Sequence, residues 1–374
     1  MKNLKAALDL ANVVGADPHK RTVTTTVLDC RGGVLGTDAF DTTDEGLAAM
    51  EAWALGFGPV TRWGIEGASG PGRHTAAFLA ARGHDVRDVC PNRTNERRRA
   101  RQGPKSDAAD SVRIAREALA EAGLPAAFKR ADGDAGPDEL GELLELWHNE
   151  RRSLRRSSQH LLNEAEALLS ALPEAARAGI PDVADVRRRL RALGERDRSM
   201  RWEPPTSLRL RLLDSHAATI AALDARERET TKELARLNRR AGSTLGELCG
   251  LADRSTTELL VEVGDPRRFR SEAAFARFNG TAPLEVSSGE GRNEPKRHRL
   301  NRGGNRRVNA VLHRMAVTQL RCDERARRLF DDARQRGHTK KEAMRVLKRH
   351  LSNVVYRRMV HDLDARLAAR PQAA

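Results

Sequence analysis

The chain has 374 residues, a formal charge of +15 and a pI near 10.5, a balance that points to polyanions, of which nucleic acid is the commonest. No apolar run of about 18 residues occurs, and Met1-Lys2-Asn3-Leu4-Lys5 leads into no long apolar segment, so neither a transmembrane helix nor a secretory signal is expected. Aromatics at 3% disfavour a stacking platform for single strands, and Cys30, Cys90, Cys249 and Cys322, with no C-x-x-C pair, read as buried or incidental thiols of a reducing cytosol rather than a zinc or disulfide framework.

Strand signals open the chain. Asn12-Val13-Val14-Gly15-Ala16-Asp17 is a short apolar strand ending in a carboxylate, and residues 22–29 (TVTTTVLD) are rich in β-branched residues. Arg31-Gly32-Gly33 supplies a turn, and residues 34–40 a third strand, so these three predict an antiparallel meander. A helix over 47–55, a strand over 62–66 ending in Glu66, a helix over 72–82, a strand over 85–90 and a helix over 106–121 capped by Ser106 complete the order βββαβαβα. That order is the one expected of an α/β RNase H-like, RuvC-like domain.

Residues 130–138 (RADGDAGPD) read as a linker. Heptad spacing then runs through Leu140, Leu144, Trp147, Arg151, Leu154, Ser158, Leu161, Ala165, Leu168 and Leu172, predicting a long helix with a coiled-coil-like seam. A weaker seam follows through Leu213, Ile220, Leu223, Leu234 and Leu237. The two helices could form an antiparallel hairpin within the chain or pair between protomers. Residues 250–264 read as turn–helix–turn, helices are predicted over 269–280, 306–321 and 324–367, and residues 281–309 read as a Gly- and Arg-rich loop. The expected organisation is a catalytic domain over 1–130, helical coiled-coil segments over 131–241 and an α-helical C-terminal domain over 242–374.

Four carboxylates stand out by position. Asp17 ends the first strand, Glu66 ends the fourth, and Asp107 and Asp110 share one face of the helix that follows the sheet. In an RNase H-like sheet those strands are neighbours and the helix crosses their ends, so the four acids would converge. Unpaired carboxylates at short range repel, and a divalent cation relieves this. Mg²⁺ favours carboxylate oxygens, and a metal pair suits phosphodiester chemistry. Mn²⁺ is the alternative ion. His19, beside Asp17, and His298 read as structural or phosphate contacts.

Three stretches, residues 13–20 (VVGADPHK), 64–70 (GIEGASG) and 105–111 (KSDAADS), resemble the DEDD-motif transposases of bacterial insertion sequences, which carry a RuvC-like N-terminal domain. In the C-terminal half, residues 263–269 (VGDPRRF), 278–283 (FNGTAP), 287–289 (SSG) and 302–307 (RGGNRR) are similar to the second conserved domain of the same family. The resemblance implies a site-specific DNA recombinase whose acids Asp17, Glu66, Asp107 and Asp110 hold Mg²⁺ and in which a serine before glycine, Ser288 rather than Ser287, links covalently to DNA. It also implies target and donor DNA, an element-encoded noncoding guide RNA, a homo-oligomer and no membrane partner. Location would be cytoplasmic, with the nucleoid when DNA is bound. Two departures fall at Gly250-Leu251-Ala252-Asp253 and at Val308-Asn309, where the family often has a Gly-rich turn and Leu-Arg.

Basic clusters flank these motifs. Arg93, Arg97, Arg98, Arg99, Arg101 and Lys105 precede Asp107, and beyond Ser288 residues 292–307 hold Arg292, Lys296, Arg297, Arg299, Arg302, Arg306 and Arg307 against a single acid, Glu294. Both fit phosphate contact, which positions nucleic acid without reading sequence. Two other readings stand beside the recombinase: a metal-dependent, structure-specific nuclease using water and the same acids, and a non-catalytic nucleic-acid-binding protein.

Overall fold

A computed structural model describes residues 11–68, 70–89, 106–120, 124–129, 138–196, 199–285, 298–299 and 304–369. The chain divides into two compact units, Met1–Glu139 with Val263–Arg270, and Leu140–Glu262 with Ser271–Ala374.

In the first unit, β1 (Asn12–Pro18), β2 (Thr22–Leu28) and β3 (Val34–Asp41) form the antiparallel meander, followed by α1 (Asp44–Leu55), β4 (Val60–Glu66), α2 (Arg73–Ala81), β5 (Val86–Val89) and α3 (Asp107–Ala120). The five strands make one mixed sheet in the order β3-β2-β1-β4-β5, with β4 parallel to both β1 and β5. This topology is consistent with an RNase H-like fold.

Strand alternation sorts the side chains to two faces. Val14, Ala16, Trp63 and Ile65 enter a core shared with Leu47 and Met50 of α1 and Leu79 of α2. Val13 faces the other way, against Ile114 and Ala118 of α3. On that second face Gly15 of β1 and Gly64 of β4 are register partners. A Cβ at Gly15 would fall inside the backbone of Ala115, and one at Gly64 would come within 2.7 Å of the Ala118 Cβ. The paired glycines thus form a shallow groove into which α3 presses. Ser111 fixes the helix there, its Oγ 2.7 Å from Thr26 Oγ1 of β2. Ser106 Oγ accepts from Ala109 N at 3.2 Å, the cap expected for this helix.

The groove predicts a large response to one methyl group. Gly15→Ala drives Cβ into helix backbone that has no rotamer to yield, and overpacking of this kind costs about 1–3 kcal/mol. A urea titration is expected to show that loss, and α3 should lift from the sheet with Asp107 and Asp110.

The segment Val263–Arg270 belongs to this unit through Asp265, whose N–H donates to Lys129 O at 2.7 Å. Gly264 has φ +63°, and a Cβ there would meet the Lys129 carbonyl, so glycine is required twice over. Asp265 Oδ1 also accepts from Arg267 N at 2.8 Å, and Arg268 Nε reaches Val263 O at 2.8 Å.

The second unit is mostly helical. It contains α4 (Glu139–Ser170), α5 (Glu174–Arg177), α6 (Val186–Gly194), α7 (Pro204–Arg240), α8 (Asp253–Val263), α9 (Glu272–Phe278), the short hairpin β6 (Leu284–Glu285) and β7 (His298–Arg299), α10 (Arg306–Cys322), α11 (Glu324–Gln335) and α12 (Lys340–Ala368). The long helices α4 and α7 run antiparallel within the chain. Glu150 meets Arg226 at 2.5 Å, Arg151 meets Glu227 at 3.0 Å, and Ser158 donates to Asp224 at 3.1 Å.

The seam expected on α4 needs correction. Its buried positions are Leu140, Leu144, His148, Arg151, Leu154, Ser158, Leu162, Ala165 and Leu169. Trp147 is instead 37% exposed, and Leu161 and Leu168 are half-buried. A straight α-helix repeats every 3.6 residues, so a strict heptad drifts about 20° per repeat and hands its place to the next residue. The helix expected over 324–367 is likewise two. Gly337 turns at φ +90°, and Thr339 starts α12 with a capping box to Glu342. The reading of four separate thiols is also corrected. Cys249 and Cys322 form a disulfide, while Cys30 is free and exposed and Cys90 lies outside the described residues.

Candidate metal centre and nucleic-acid interface

Ala16 and Ile65 are register partners on the parallel strands, so the next residues, Asp17 and Glu66, emerge together at the ends of β1 and β4. Both share the face covered by α3, whose first turn carries Asp107 and Asp110. Asp17 is buried, and its carboxyl is pushed up to about 6. Burial is the largest cause. His19 opposes it, and the negative charges of Glu66, Asp110 and Asp107 add to it. The other three predicted acids thus all bear on the Asp17 carboxyl.

The closest set is Asp17, His19 and Asp107. His19 Nε2 lies 3.6 Å from Asp17 Oδ2 and 3.4 Å from Asp107 Oδ1, and the three offer ligand atoms within 4.8 Å of one another. Asp110 pairs with Arg113 one turn along α3. This arrangement fits a divalent cation. Oxygen donors predominate, and a buried carboxylate held up by three like charges is what a positive ion relieves. His19, read from sequence as a bystander, is part of the cluster. The signal for it was its position two residues beyond Asp17.

Two partners of the site carried no sequence signal. Arg113 shares its helix face with Asp110 but sits among many arginines. Asp88 of β5 accepts from Ala68 N at 2.9 Å and so holds the turn that follows Glu66. Its carboxyl is raised by burial, against which the Ala68 N–H and Lys129 act.

In the second unit, Asn305 Oδ1 caps α10 by accepting from Arg307 N at 3.0 Å and Val308 N at 3.1 Å. Its Nδ2 donates to Glu262 at 2.8 Å, and the Arg307 guanidinium pairs with the same carboxylate. Arg306 beside it is exposed. The motif at 278–283 packs here: Asn309 Nδ2 donates to Asn279 O at 2.7 Å, Asn279 Nδ2 donates to Ser352 Oγ at 2.8 Å, and Lys348 Nζ donates to Asn309 Oδ1 at 2.5 Å. Val308 is fully buried, so the departure at Val308-Asn309 puts an apolar side chain in the interior and a hydrogen-bonding amide beside Asn279. Ser287, Ser288, Arg93, Arg97, Arg98, Arg99, Arg101, Lys105, Arg292, Lys296, Arg297 and Arg302 lie outside the described residues, as does the side chain of Arg299.

The comparisons assign this mixed sheet with its acids, and the helical unit that follows, to a class of DEDD transposases. Residues 14–172 match the DEDD transposase profile of the IS110 type, and residues 242–331 match the profile described as Transposase IS116/IS110/IS902 family. A Streptomyces coelicolor protein described as "Insertion element IS110 uncharacterized 43.6 kDa protein" is 32% identical over 115 residues, a stretch that is 30% of this chain and 27% of that protein. The chain belongs to the IS110-type family of DEDD transposases. Among the described residues, no helix is long and apolar enough to cross a membrane.

Proposed function

We propose that the chain is the site-specific recombinase of an insertion sequence, cutting and rejoining target and donor DNA through a covalent serine–DNA intermediate. The observation that carries this reading is the convergence of Glu66, Asp107 and Asp110 on the buried carboxyl of Asp17. In this reading the RuvC-like catalytic domain spans 1–130, the coiled-coil helices span 131–241 and connect it to the C-terminal domain of 242–374, and a homo-oligomer joins the duplexes.

Asp17, Glu66, Asp107 and Asp110 would hold Mg²⁺, with Mn²⁺ as a substitute. Such an ion supplies Lewis-acid stabilisation of the charge that gathers on phosphate oxygens. Ser288 Oγ loses its proton and attacks phosphorus, and the bond from phosphorus to the leaving sugar oxygen breaks. That oxygen takes up a proton. Attack by the hydroxyl of another strand end then reverses the step, releasing the serine and joining new partners. Arg297, Arg299, Arg302 and Arg306 supply positive charge to the phosphate, and Arg97 to Lys105 draw the backbone toward the acids.

None of these groups reads bases, so sequence choice falls to a paired guide, a noncoding RNA from the element. Sequencing of nucleic acid that co-purifies with the protein is expected to yield one structured RNA encoded beside the gene. Recombination between plasmids carrying element ends and target should stop after RNase treatment and return when that RNA is added back. Undiminished recombination by RNase-treated protein would overturn the guide. Cleavage without joining would replace the recombinase by the water-using nuclease.

A further inference from the structure

The middle of the α4 seam is polar, and nothing above explains all of it. Ser158 is accounted for, since it bridges Asp224 at 3.1 Å and Arg187 at 2.9 Å. His148 and Arg151 are not. His148 is 2% exposed, and neither of its ring nitrogens has a hydrogen-bond partner among the described residues. Arg151 is 5% exposed; its terminal nitrogen meets Glu227 Oε1 at 3.0 Å, but its Nε has no partner among the described residues. Leaving such atoms unmet is unfavourable, because each has given up its water without a replacement.

Guanidiniums from three helices gather around this point. Arg155, one turn beyond Arg151, reaches the same Glu227 oxygen at 3.8 Å. Arg314 of α10 takes Glu258 of α8 at 2.9 Å. Arg254 stands one turn before Glu258 on α8. Its charge is disfavoured by burial and then by Arg155 and Arg314, and Arg254 and Arg155 in turn disfavour that of Arg151. Glu227 thus takes Arg151 and Arg155, Glu258 takes Arg314, and Arg254 stands one turn from Glu258 on the same helix, four cations against two carboxylates. Like charges assembled in this way leave an excess that an anion would satisfy, and the half-exposed heads of Arg155 and Arg314 keep the cluster open to solvent.

We propose that Arg155, Arg254 and Arg314, backed by the buried Arg151, form a phosphate-binding site for the backbone of duplex DNA, built from helices of the second unit. Guanidiniums present forked donors that match phosphate oxygens, and contacts of that kind position a duplex. Anchors fixed on helices suit the regular phosphate spacing of a duplex better than a flexible single strand. The choice of DNA rests on the recombinase reading.

The test is fluorescence anisotropy of the full chain with duplex DNA and with duplex RNA of the same sequence, across a salt series. Arg155→Gln/Arg254→Gln is expected to weaken duplex DNA binding about 10-fold or more and to flatten the salt dependence by one to two phosphate contacts. Arg236→Gln/Arg328→Gln removes the same charge from exposed ion pairs on α7 and α11, and should change binding far less. Arg155→Lys/Arg254→Lys should keep the salt dependence and lose only part of the affinity. Equal losses in the two glutamine variants, or none in the first, would overturn the site while leaving the recombinase reading intact. A loss confined to RNA would give the site to RNA instead. Wild-type protein that binds neither duplex would overturn the recombinase reading itself.

Discussion

Asp17→Asn is expected to abolish strand cleavage and joining, with a fall on the order of 10³-fold or more, while DNA and RNA affinity stay near wild type. Asp17 is buried with Glu66, Asp107 and Asp110 around it, so its charge is tolerated best with a cation present. Removing that charge takes away a repulsion, and the metal-free variant should melt no lower than metal-free wild type. Mg²⁺ should raise the melting temperature of wild type, because a ligand of the folded state stabilises it by mass action, and should leave the variant unmoved. Chelation of the wild type should reproduce the activity loss, and added Mg²⁺ or Mn²⁺ should reverse it. Full activity of Asp17→Asn in Mg²⁺ would refute the metal centre. A loss of activity with a collapsed melting curve would mark Asp17 as a fold residue instead.

Ser288→Ala should eliminate the covalent protein–DNA adduct trapped on a nicked substrate that cannot be rejoined, and Ser287→Ala should retain it. Alanine keeps backbone and bulk near those of serine but has no oxygen to bond phosphorus, so the adduct falls to background. Peptide mass mapping of the wild-type adduct is expected to place the nucleotide on Ser288. The adduct should also vanish with Asp17→Asn, since both parts serve one reaction. DNA ends bearing free phosphate, formed equally by both serine variants, would replace the serine step by attack of water.

Much of the first unit is legible in one dimension because its signals are local. β-branched runs and a Gly-Gly turn mark the meander, and alternation places Val14 and Ala16 opposite Gly15 and Asp17. Ser106 announces its helix by a hydroxyl that needs only the backbone three residues on. The gathering of acids was readable for a related reason: two sit at strand ends and two in a first turn, and parallel register does the rest. Asp88 was not readable, since one acid within a four-residue strand gains its meaning only when the Ala68 N–H arrives from the neighbouring strand.

Sequence alone determined the order of strands and helices in the first unit, the positive charge of the chain and the placement of Asp17, Glu66, Asp107 and Asp110 at the ends of their elements, because each follows from short-range backbone preference or from counting. Tertiary structure alone decided which side of α4 is inside. Heptad counting selects Trp147, but an untwisted helix turns the buried line onto His148, Leu162 and Leu169. It decided that Cys249 meets Cys322 across 73 residues, that Val263–Arg270 packs with the first unit, and that Arg151 and Arg155 meet Glu227 while Arg314 meets Glu258. Each of these depends on how distant segments pack, and no spacing along the chain encodes it.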